Sequence, residues 1–168
     1  MQEQEASSSS WVVAMMPSPG IEHLIPMLEL AKTLIIRHPN ITLTLIIPSS
    51  TPPSAAHTTL LRSLPPSISH TFFPLVSLSD LPPNTKHESI FFLTILRSIP
   101  SLRRTLLALS STHHRLAALI FDAFGSDAVD VASELHIPSY LYFAASTMSL
   151  SLLSSISPLK LKHPINTA

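Results

Sequence analysis

Short apolar runs alternate along this chain with longer segments of helical period, and that alternation constrains the fold more than any other feature. Residues 11–16 (WVVAMM), 41–47 (ITLTLII), 116–121 (LAALIF) and 139–143 (SYLYF) read as strands, the second rich in β-branched residues. Between the first two, Leu24, Met27, Leu28, Ala31, Leu34 and Ile35 recur at helical spacing across 22–37. Pro26 is assigned to the first turn of that helix, where a missing N–H costs little. A short helix is expected at 58–63, and a strand at 68–76 that Pro74 restricts to a sheet edge or a short piece. Further helices are expected at 87–110, broken near Pro100, and at 126–135, capped by Ser126 with Asp127 in its first turn. A last helix is expected at 147–155. Strands alternating with helices predict an α/β fold, a Rossmann-like parallel sheet with helices on both faces.

Sixteen prolines stand against two glycines. Proline pairs at 52–53, 65–66 and 82–83 punctuate the elements. Gly20 and Gly125 alone can supply a left-handed backbone or a close approach, and each follows an apolar run. Ten basic and ten acidic residues cancel, which leaves no electrostatic footprint for nucleic acid or an anionic membrane. The absence of cysteine excludes disulfides and thiolate metal sites. His113 and His114 have no acidic cluster near them in sequence, so no metal is expected there. Residues 1–10 are polar and acidic, without the basic-then-apolar pattern of a signal peptide, and the expected compartment is the cytoplasm. The uncharged stretch 137–159 is long enough to cross a bilayer, but its serines, Pro138 and Pro158 favour a buried strand and helix.

In open parallel sheets, ligands bind beyond the carboxyl ends of the strands. That rule selects 17–23, after the first strand, and 122–127, after the LAALIF strand. Each places a titratable residue at a strand end, His23 and Asp122. If the two strands are neighbours, a carboxylate can fix one imidazole tautomer, and the free nitrogen can take a proton from a hydroxyl. A plainer reading stands beside this one. With nine histidines in the chain, His23 can be a helix-start histidine of no special role, and Asp122 a turn or capping residue. The chain has no G-x-G-x-x-G or Walker loop and no G-x-S-x-G elbow.

The segment MMPSPGIEHLIPMLELAKTL resembles the opening of plant UDP-sugar-dependent glycosyltransferases of the GT-B fold, most of all the hydroquinone glucosyltransferase (arbutin synthase-like) subgroup. The resemblance continues in order through LIIPSSTPPSAAHTTLLRSLP, FPLVSLSDLPPN, TILRSIPSLRR and LAALIFDAFGSDAVDVASELHIPSYLYFAAS. It implies that His23 deprotonates the acceptor hydroxyl and that Asp122 pairs with it. The activated oxygen then displaces UDP from the sugar's anomeric carbon with inversion. No metal and no cofactor take part, and the UDP-sugar is a co-substrate. It also implies a phenolic acceptor lined by Ser18, Pro19, Glu88, Phe91 and Phe124, with Ser146 offering a hydroxyl to the sugar.

Three departures accompany the resemblance. The family's loop reads P-x-P-G-x-G-H, and Glu22 stands where its second glycine falls. Ala145 replaces a threonine common after the fifth strand. The sequence stops at Ala168, before the second domain that holds the nucleotide sugar in the family. The expected organisation is a tail at 1–10, a partial acceptor-binding domain at 11–158 and an unfinished loop at 159–168, with the C-terminal donor domain absent. The alternative is a truncated, non-catalytic domain that binds small molecules or depends on a partner chain.

Overall fold

The computed structural model describes residues 11–111 and 115–144. The strands are β1 (Trp11–Met16), β2 (Ile41–Ile47), β3 (Ile68–Phe72), β4 (Arg115–Asp122) and β5 (Ser139–Tyr142). The helices are α1 (Ile21–Arg37), α2 (Ala55–Arg62), α3 (His87–Ser110) and α4 (Ala128–Glu134), with a single 3-10 turn at Ala123–Gly125. The five strands pair in parallel in the order β3-β2-β1-β4-β5.

Both faces of the sheet are covered, and strand alternation divides the core between them. Met15, Leu43, Leu45 and Ile47 point to one side, under Leu24, Met27, Leu28 and Ala31 of α1 and Leu61 of α2. Ala14, Met16, Ile46, Leu119 and Phe121 point to the other, under Ile95, Leu102 and Leu106 of α3 and Ala128, Val131 and Ala132 of α4. The expected Rossmann-like sheet with helices on both faces is the fold observed.

Several local expectations need correction. Helix α1 starts at Ile21, directly after Gly20 at φ 107°, so Pro26 falls in the second turn and not the first. The missing N–H leaves the Glu22 carbonyl without its helical donor. Helix α3 runs unbroken through Pro100. Pro100 is exposed, while Ile95, Leu102 and Leu106 on either side of it are buried, so packing holds both halves on one axis. Ser126 does not cap the next helix. The chain first makes the 3-10 turn, and α4 starts at Ala128 after Asp127, whose side chain makes no capping bond. Helix α2 begins at Ala55, earlier than expected, because Ser54 caps it: the Ser54 Oγ accepts from His57 N at 3.4 Å.

Strand β3 ends at Phe72 and forms one edge of the sheet, as Pro74 required. The expected helix at 147–155, the loop from 159, the tail at 1–10 and the pair His113–His114 lie outside the described residues. Among the described residues, no helix is long and apolar enough to cross a membrane.

Candidate active site

Strand order reverses at β1. From β1 the chain steps outward to β2 and β3, then crosses back through α3 to β4 on the other flank of β1. The crevice at such a reversal opens between the carboxyl ends of β1 and β4, where Met16 pairs with Phe121. His23, in the first turn of α1, and Asp122, the last residue of β4, meet there.

His23 Nδ1 lies 2.6 Å from Asp122 Oδ2. The Asp122 side chain is only 6% exposed and that of His23 24%, so the carboxylate is buried beneath an imidazole that reaches solvent. The other carboxylate oxygen, Oδ1, accepts from the Ala123 backbone N–H at 2.6 Å, which fixes the group at the mouth of the 3-10 turn. With Nδ1–H donated to Asp122, a neutral His23 carries its lone pair on Nε2.

Two phenyl rings clamp the imidazole. Phe91 of α3 stands edge-on to His23, with ring centroids 5.5 Å apart and planes at 86°. Phe124 of the 3-10 turn does the same at 5.7 Å and 88°, and the two phenyl rings meet each other at 5.8 Å. Three nearly perpendicular rings from three elements leave His23 little rotational freedom.

The two glycines serve the site in different ways. Gly20, at φ 107°, makes the turn from β1 into α1 in a region that L side chains rarely adopt. A Cβ there would also lie 2.5 Å from Glu22 Oε1 and 2.7 Å from Oε2. Glu22 therefore does not extend outward from the helix; its carboxylate folds back over Gly20. Gly125 is needed for packing, because a Cβ would meet Met16 Cε at 2.9 Å.

Of the other expected site residues, Ser18 and Pro19 lie in the β1–α1 loop and are buried. Ser18 is 1% exposed, and its Oγ has no hydrogen-bond partner among the described residues. Glu88 is exposed in the first turn of α3. Ser146, like Ala145, lies outside the described residues.

Two neighbours of the site escaped the sequence reading. His87 packs edge-on against Phe91 at 4.6 Å, and the signal for it was the i, i+4 spacing on a helix. Tyr142, at the end of β5, donates its hydroxyl to the Pro26 carbonyl at 3.4 Å and ties that strand to α1. No local signal marks that contact, because the partners are 116 residues apart. No group of three His, Asp or Glu side chains able to hold a metal occurs among the described residues.

Comparison with known proteins places this geometry in a family. No family model matches the chain. Over 141 residues it is 45% identical to UDP-glycosyltransferase 72B3 of Arabidopsis thaliana, a match covering 84% of this chain and 29% of the relative. Over 140 residues it is 42% identical to the hydroquinone glucosyltransferase of Rauvolfia serpentina, covering 83% of this chain and 29% of the relative. The solved structure of Phytolacca americana UGT2, complexed with UDP-2fluoro-glucose and pterostilbene, matches with a TM-score of 0.84 at 38% identity. That match covers 93% of this chain and 35% of the other. The chain spans about three tenths of the length of the curated relatives it matches. It is a homologue of the plant UDP-glycosyltransferases, matching part of their GT-B fold.

Proposed function

We propose that this chain is the acceptor-binding part of a cytoplasmic UDP-sugar-dependent glycosyltransferase, with a phenol or similar small hydroxylated molecule as acceptor. The observation that carries the proposal is the His23–Asp122 pair, 2.6 Å apart at the strand-order reversal. His23 Nε2 takes the acceptor's hydroxyl proton, and Asp122 stabilises the imidazolium that forms. The acceptor oxygen attacks the anomeric carbon of UDP-glucose. The bond from that carbon to the UDP oxygen breaks, UDP leaves with the electron pair, and the configuration inverts.

Phe91 and Phe124 offer flat apolar surface for an aromatic acceptor, beside contacts from Ser18, Pro19 and Glu88. Hydroquinone in the name of one relative and pterostilbene in the solved complex support that acceptor class. Ser146 is assigned to the sugar, and the nucleotide is assigned to a second domain.

The test is a chimera in which this chain replaces the matching segment of the Rauvolfia serpentina hydroquinone glucosyltransferase. The chimera is expected to transfer glucose from UDP-glucose to hydroquinone, and His23→Ala to lower its kcat/KM by at least about tenfold, the small end of the scale for a general base. An unchanged kcat/KM removes His23 from the mechanism. A folded chimera without transfer favours a non-catalytic role for the chain.

A further inference from the structure

The segments that converge on the ring cluster, 17–23, 86–91 and 122–127, carry four carboxylates (Glu22, Glu88, Asp122 and Asp127) and one lysine, Lys86. Asp122 is occupied by His23 and the Ala123 N–H. Asp127 Oδ2 is buried without a hydrogen-bond partner among the described residues, and Glu88 is exposed in the first turn of α3. Glu22 differs from all three. It immediately precedes His23, its carboxylate is folded onto Gly20 in the loop at the end of β1, and it makes no ion pair among the described residues.

We infer that Glu22 is a specificity-determining residue, which admits neutral phenols to the crevice and disfavours phenols bearing an ionised group. The inference rests on the acceptor reading above and deepens it. A carboxylated acceptor brings a further negative charge beside segments whose acids outnumber their single lysine. The Glu22 carboxylate lies over Gly20, in the loop that leads from β1 into the helix bearing His23. Like charges a few ångströms apart, even at an exposed site, disfavour binding by about tenfold.

The experiment is an NMR titration of the whole 168-residue chain with methyl 4-hydroxybenzoate and with 4-hydroxybenzoate, which differ mainly in charge. It is repeated on Glu22→Gln, an exposed position where the substitution keeps the side chain's shape, and on His23→Ala. Unchanged dispersion of backbone amide shifts confirms that each variant is folded. The expected result is that wild type binds the ester about tenfold more tightly than the acid, and that Glu22→Gln brings the two within about threefold by strengthening the acid. If the ester binds in a manner that His23→Ala weakens, yet Glu22→Gln leaves the ratio unchanged, the role of Glu22 is refuted and the acceptor site stands. If neither compound binds, or His23→Ala has no effect on the ester, the acceptor reading itself fails and the inference falls with it.

Discussion

At the scale of single residues, the site depends on a small number of fixed geometries. Asp122 holds one face of His23 through a 2.6 Å bond, and two phenyl rings hold the others. Asp122→Asn in the chimera keeps the shape, but its amide can present an N–H to Nδ1 and so favour the tautomer with the proton on Nε2. Its kcat/KM is expected to fall at least about tenfold while the denaturation midpoint changes little. Equal losses of activity and stability would make Asp122 a structural cap alone. Gly20→Ala should destabilise the fold by about 1 kcal/mol or more, from the strained φ and from the displaced Glu22 carboxylate, as read by urea unfolding. His23 and Asp122 were both legible as strand-end residues. The folding back of Glu22 was not, because nothing local dictates where a flexible glutamate places its carboxylate.

At the scale of elements, proline was the least reliable guide. A helix break was expected at Pro100, yet α3 continues, because buried residues before and after the proline dock on the same sheet face. Pro100→Ala should restore the donor to the Leu96 carbonyl and stabilise the fold by roughly 1–3 kcal/mol in urea unfolding. A loss of stability would mean that α3 needs the proline's geometry. The loop before α3 is tied to it by Arg97, which makes two bonds to Asp80, at 2.7 and 2.6 Å, and another to the Ser77 carbonyl. The Arg97 hydrogen bonds hold the Asp80 carboxyl below its ordinary value of 3.8. A lowered folded-state value means that the bond's contribution is fully present above that ordinary value and is lost as pH falls through the lowered one. The stability difference between wild type and Asp80→Asn should therefore be flat at neutral pH and shrink in acid below about pH 4. A difference that persists into stronger acid would assign the effect to something other than ionisation.

At the scale of the whole molecule, stability and function meet in the sheet. Leu119 is fully buried on the face under α3 and α4. Leu119→Ala should cost about 2–5 kcal/mol, measured by denaturant unfolding, and a loss under 1 kcal/mol would mean that the face repacks around the gap. The same sheet brings together residues that are remote in sequence. The apolar runs and the helical periods are enough by themselves to specify a parallel α/β sheet covered on both sides. Hydrophobic burial on a strand or a helix has a period that can be read locally, and the two glycines mark the two loops that matter. The order β3-β2-β1-β4-β5 is a different kind of fact. It is set by which strands pair across long separations, and only that order puts β4 beside β1 and Asp122 against His23. The ring cluster, the Tyr142 bridge to Pro26 and the continuity of α3 likewise arise from packing between elements. Such contacts have no periodicity along the chain, so they exist only once the elements are in place.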